Sequence, residues 1–234
     1  MFFLKWLEYC VARLVVTFLR FLPLKVAYFL GQQLGWLAWS ILSERRCTVR
    51  NNLVAVQRWL QKKSENVNEI LNPESIEVNT KLVFCRSGAN LLSGFSFAAL
   101  PLNKRFERVE LVNLDILESA VKQGNGVVLL MAHMGPWEVV PSVLVHLAKD
   151  LGTNLGAIYR PLSNRLLEEW YRCHRETQGV LLFNRKEGLK KVYKFINGGG
   201  ILALLADQRV KTGESSEFFG QPAMTTPLVG LLSK

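Results

Sequence analysis

The chain has 234 residues, 49% of them hydrophobic, a formal net charge of +10, a pI near 9.6 and a mean hydropathy of +0.14. That length accommodates one sizeable α/β domain with an appendage, and the basic balance favours an acidic partner such as anionic lipid or an acidic carrier protein. The four cysteines, Cys10, Cys47, Cys85 and Cys173, form no C-x-x-C pair, which argues against a zinc knuckle or a disulfide framework and for a reducing cytosolic setting of the globular part. No nucleic-acid-binding module is recognisable among the scattered basic residues, so nucleic acid is not expected as a partner.

Residues 1–43 hold the apolar excess. The first segment, MFFLKWLEYCVARLVVTFLRFLPLK, is interrupted by Lys5, Glu8, Arg13 and Arg20. On a helical wheel these four fall within roughly 140°, the pattern of an amphipathic helix lying in a membrane interface, and Pro23 ends it. From Val26 to Ser43 eighteen residues run without a charge. Gln32, Gln33 and the glycines weaken a spanning reading, and basic residues lie on both sides. A helical hairpin dipping into one leaflet is therefore expected. The alternative is a pair of buried core helices. No cleavage site follows, so no removed signal peptide is read.

Residues 44–72 are expected to be helical and basic, with Leu53, Val56, Trp59 and Leu60 at helical spacing. In residues 73–112, Pro73, Pro101 and the run SGANLLSG suggest two helices separated by breaks. From residue 113 the pattern becomes regular. A short helix (LDILESAVKQG) leads to strand 126–132, helix 136–150, strand 153–159, helix 164–178, strand 179–184, helix 187–197 and strand 200–206. This alternation predicts an α/β fold with a largely parallel sheet covered by helices on both faces. The glycines at 198–200 read as a helix stop.

In such sheets ligands gather at the carboxyl ends of the strands. His133, Tyr159–Pro161, Asn184–Lys186 and Asp207–Arg209 all fall there. His133 ends an apolar strand and is followed by a Gly-Pro turn and then Glu138. Pro136 suits the first position of a helix, so a base and a carboxylate can share one cleft only if His133 precedes the helix proper. Imidazole serves as a base near neutral pH, and a carboxylate on its other nitrogen fixes the tautomer. The chain lacks a G-x-S-x-G elbow, an H-E-x-x-H pair and a G-x-x-x-x-G-K-[ST] loop. With no activated Ser or Cys nearby, the nucleophile is expected to belong to the substrate. His146 and His174, inside predicted helices, read as ordinary helix residues.

Four segments in order, HMGPWE (133–138), YRPLSN (159–164), ALLADQR (203–209) and FFGQPAMTTP (218–227), resemble the lysophospholipid acyltransferase superfamily, in the branch of the lipid A biosynthesis lauroyl and myristoyl acyltransferases. The resemblance extends from the N-terminus through RCTVRNNL to the last residue. It implies that His133 and Glu138 are the catalytic pair, supported by Asp207, and that Arg160, Asn164 and Gln208 bind substrate. It further implies no metal and no cofactor, an acyl carrier protein as donor, a lipid A precursor as acceptor, and a place on the cytoplasmic face of the inner membrane among membrane lipids. Acylation of another glycolipid or phospholipid, or a catalytically silent membrane-binding homologue, are the alternatives. The chain divides, on this reading, into a membrane-binding segment (1–43) and an acyltransferase domain (44–234). It departs from the family in Pro136, where Asn is frequent, and relatives continue past the equivalent of Lys234, so the domain reads as short at its C-terminus.

Overall fold

The structure is a computed structural model that describes residues 2–63, 73–136 and 139–233. Four long helices come first: α1 (Phe2–Phe21), α2 (Leu24–Ile41), α3 (Ser43–Lys63) and α4 (Pro73–Ala98). Two short helices follow, α5 (Leu102–Phe106) and α6 (Leu114–Lys122). The alternating part consists of β1 (Val127–Met131), α7 (Val139–Asp150), β2 (Leu155–Tyr159), α8 (Arg165–Thr177), β3 (Val180–Asn184), α9 (Lys190–Asn197) and β4 (Ile201–Leu205). A hairpin, β5 (Glu214–Phe218) and β6 (Gln221–Thr225), and a last turn of helix, α10 (Leu228–Leu232), complete it.

The predicted α/β class is therefore observed. The four strands form a parallel sheet in the order β1-β4-β2-β3. Alternate strand residues supply its two faces. Leu155, Val180 and Ile201 pack with Val145 and Ala148 of α7, with Leu117 and Val121 of α6 against the same cluster. Leu202, flanked by Val128, Ile158 and Phe183, packs on the other face with Val192 and Ile196 of α9 and Leu232 of α10. With helices on both faces, the strands are apolar apart from Asn184 at the end of β3, as parallel strands require. The outer side of α7 is covered in turn by the N-terminal helices through Phe97, Val143 and Leu147.

One expectation is corrected. The Ser/Gly run 87–94 does not break the chain, because α4 continues through it from Pro73 to Ala98. Its small residues are a contact surface for α2. A Cβ on Gly31 would lie 2.4 Å from the Gly88 carbonyl oxygen, and one on Gly35 would lie 2.2 Å from that of Phe84. The helix backbones touch, which only glycine permits. Ala27, Gly31 and Gly35 form the buried stripe of α2, while Phe29, Leu30, Leu34, Trp36, Leu37 and Ile41 are exposed.

Helix α1 is turned outward in the same sense. Leu19 is its one buried residue, and Phe2, Phe3, Leu4, Trp6, Leu14 and Phe18 are exposed. It is tied to the body at both ends: Ser96 Oγ donates to the Leu22 carbonyl at 2.6 Å, and Asn164 Nδ2 donates to the Lys5 carbonyl at 2.8 Å. No helix among the described residues is long and apolar enough to cross a membrane.

Candidate active site at the carboxyl edge of the sheet

Strand order builds the site. Strand β4 returns between β1 and β2 and pairs with β1 in a register that sets Met131 opposite Leu205. Two residues beyond each strand end stand His133 and Asp207. Asp207 Oδ1 lies 2.7 Å from His133 Nδ1, and Asp207 Oδ2 accepts the His133 backbone N–H at 2.7 Å. One carboxylate thus clamps both the ring and the main chain of the histidine. The imidazole is 27% exposed and the carboxylate 34%, so the pair is reachable from solvent while its geometry is fixed. Partial burial pushes the Asp207 carboxyl up, but the hydrogen bonds from the His133 ring and backbone outweigh it and hold the group below the ordinary carboxylate range. An Nδ1–H donated to Asp207 places the ring lone pair on Nε2, the arrangement of an oriented base.

Gly135 (φ +60°) and Pro136 turn the chain after His133, and the Val139 N–H closes the turn on the Pro136 carbonyl at 2.8 Å. His133 therefore precedes α7, as the spacing demands. Glu138 lies outside the described residues. Arg160 follows β2, on the far side of β4 from β1, so it shares the sheet edge with His133 at a remove of two strand spacings, roughly 10 Å. It is exposed and has no hydrogen bond or ion pair among the described residues. Gln208 is exposed beside Asp207.

Asn164 stands apart from this group. It is 4% exposed and caps α8, its Oδ1 accepting the Leu166 N–H at 3.1 Å. Its Nδ2 serves the Lys5 carbonyl and, at 3.0 Å, the Glu8 carboxylate. The amide is occupied by helix α1, a partner that no local sequence signal announces. Tyr159, at the strand end where the sequence places it, is held by a partner that the sequence likewise does not announce. Its hydroxyl is pushed up to about 12 by burial and then by a hydrogen bond to Glu168, whose Oε2 also accepts the Leu162 N–H at 2.7 Å. The loop bearing Arg160 is thus fastened to α8 at Tyr159, Leu162 and Asn164. His146 and His174 lie in α7 and α8, beside Phe106 and Trp170 respectively, away from His133.

The segment 209–227 closes on itself after β4, the Val210 N–H donating to the Met224 carbonyl at 3.0 Å. The hairpin turns through Phe219 (φ +49°) and Gly220 (φ +69°), both left-handed, the geometry of a tight hairpin turn. Phe219 meets Trp59 of α3 edge-on at 5.2 Å, and Lys63 lies over the same indole at 4.6 Å. A cavity of about 400 Å³ runs along the unpaired side of β3, lined by Leu181, Phe183, Glu176 and Lys191 among others. Neither His133 nor Asp207 lines it. The His133–Asp207 pair lies at an open edge, not in that cavity.

Set against known proteins, residues 3–234 match the family model described as bacterial lipid A biosynthesis acyltransferase. A curated relative, the lipid A biosynthesis acyltransferase of Haemophilus influenzae, is 22% identical over 221 residues, covering 92% of this chain. The chain spans 64% of the length of that relative.

Proposed function

The chain belongs to the bacterial lipid A biosynthesis acyltransferase family, and from that premise we propose that it moves a fatty acyl chain from a thioester to a hydroxyl of a lipid A precursor. The observation that carries the reading is the Asp207 clamp on His133, which presents an oriented imidazole at a sheet edge. His133 Nε2 takes the proton of the acceptor hydroxyl, and the resulting alkoxide attacks the thioester carbonyl. As the tetrahedral intermediate collapses, the C–S bond breaks and the imidazolium returns the proton to the departing thiolate. Asp207 stabilises that imidazolium. By family pattern Glu138 is the carboxylate of the catalytic pair with His133, and Asp207 is the supporting one. Arg160 grips an acceptor phosphate with its planar fork, and Gln208 lies at the same edge to meet substrate.

The donor we assign is acyl carrier protein, an acidic partner suited to α3, where residues 44–63 carry six Lys or Arg against one Glu. Residues 1–43 are the membrane-binding segment, on the cytoplasmic face of the inner membrane. The outward-facing aromatic and aliphatic side chains of α1 and α2 support this, since such a surface gains free energy in a lipid interface.

The test incubates the full chain with acyl carrier protein thioester and a lipid A precursor and follows the acceptor by mass spectrometry. Gain of one acyl chain, dependent on His133, is expected. Absence of turnover with both the carrier-protein and coenzyme A thioesters would sink the reading. Neutralising Arg45, Arg46, Lys62 and Lys63 should slow use of the carrier protein and leave coenzyme A use unchanged; equal loss with both donors removes the docking role of α3.

A further inference from the structure

We propose that Asn164 is a positioning residue: its buried amide pins the lipid-facing helix α1 to the Arg160 loop, so that seating α1 on a lipid surface orders that loop for the acceptor. The inference rests on the acyltransferase reading for the meaning of Arg160, and on the exposed apolar face of α1 for its contact with lipid. The family pattern would put Asn164 among the substrate-binding groups. Its geometry assigns it another task.

Three of the four hydrogen-bonding positions of an Asn side chain are taken here: one oxygen lone pair by the Leu166 N–H, and both amide hydrogens by Lys5 O and Glu8 Oε2. At 4% exposure the group cannot meet a ligand unless α1 first leaves. Helix α1, for its part, packs on α4 and α8, burying Leu19 fully and Cys10, Ala12 and Val16 in part, and turns its large apolar residues outward. Polar pins fasten its two ends, Ser96 to the Leu22 carbonyl and Asn164 to Lys5 and Glu8. The Ser96 pin ends on α4, remote in sequence from the sheet edge. The Asn164 pin ends four residues after Arg160, at the close of a loop also fastened through Glu168. Of the two attachments, only the second transmits the position of α1 to a residue assigned to the acceptor. A buried hydrogen-bonded contact of this kind is costly to leave half made, so the two sides move together.

Three variants of the full chain test this: Asn164→Asp, Glu8→Gln and the two combined. Asn164→Asp keeps the oxygen that caps α8 but loses the donor and sets a carboxylate against Glu8. Adding Glu8→Gln supplies an amide donor and restores the side-chain pair with its polarity reversed, the bond to the Lys5 carbonyl alone remaining lost. With vesicles of phosphatidylethanolamine and phosphatidylglycerol, hydrogen exchange should slow in both 2–21 and 160–168 in the parent. In Asn164→Asp it should slow in 2–21 alone, and the double variant should recover both. With the acceptor presented in the same vesicles, the apparent KM should rise about tenfold in Asn164→Asp with kcat within about twofold, a difference near 1.4 kcal/mol. The double variant should return most of it. Unaltered protection of 160–168 in Asn164→Asp overturns the proposal. So does a loss of kcat that Glu8→Gln fails to restore, which would mark Asn164 as a group that touches substrate. Should the parent chain turn over no thioester, the acyltransferase reading fails while the exchange measurement still decides the pin.

Discussion

The parallel sheet and the α2–α4 pair are both assembled from apolar chain, and they are packed in opposite senses. In the sheet the large side chains point inward: Ile201, Leu202 and Leu204 are buried. In α2 the small residues point inward, with Gly31 and Gly35 against the backbone of α4, and Phe29, Trp36 and Leu37 face out. One region is organised to exclude water from itself, the other to present apolar mass to a surrounding medium. Apolar content therefore identifies neither as core. The direction in which the large residues point does.

The proposed function gives chemistry to the sheet edge and attachment to the helices, and the largest expected effect tests that division. His133→Ala should lower acyl transfer by about 10² to 10⁴, the usual contribution of a general base, while sedimentation with anionic vesicles stays at the parent level. Parental transfer in this variant would break the division at once. Next, Leu202→Ala should lower stability to denaturant by about 2–5 kcal/mol, because the residue is wholly buried between the sheet and α9. Truncation of Trp36 to Ala on the outer side of α2 should change lipid-free stability by no more than about 0.5 kcal/mol, yet weaken vesicle partition measurably. Equal destabilisation by the two truncations would mean that both regions are ordinary core. Between the two truncations in stability stands Gly35→Ala: the new methyl would meet the Phe84 carbonyl at 2.2 Å, and overpacking of this kind costs about 1–3 kcal/mol in a melting experiment.

The same contrast explains what the sequence disclosed. Strands β1 to β4 were legible within a residue or two, since continuous Val and Leu runs between helical segments have one economical arrangement. Their order was not. That β4 lies between β1 and β2 is a property of the whole sheet, and it is this insertion that sets Asp207 against His133. The run SGANLLSG misled because Ser and Gly signal a break only where no second helix needs their small volume; at Gly88 the backbone of α2 comes directly against α4. Asn164 was read through its motif, but its partners Lys5 and Glu8 lie 159 and 156 residues away. The hairpin β5–β6 escaped notice because its turn is Phe219-Gly220 where Asn-Gly would have signalled it.

The smallest expected effect concerns the acid response of the sheet edge, for which the helical pair offers no counterpart in its glycine contacts. Asp207 is held below its ordinary range in the folded chain by the two hydrogen bonds from His133, against the opposing effect of partial burial. A carboxyl lowered on folding contributes stability above its unfolded value, about 3.9, and loses that contribution as pH falls through the folded value. The difference in denaturation midpoint between the parent and Asp207→Asn should therefore shrink steadily as pH falls below about 5. Because the side chain is a third exposed, solvent screening keeps the difference small, and closely spaced urea titrations are needed to follow it. Gly35→Ala carries no titrating group, so its destabilisation should persist across the same range. A difference that grows on acidification would mean that burial, not the clamp on His133, governs Asp207, and the sheet edge would then hold its histidine by packing, much as α2 holds to α4.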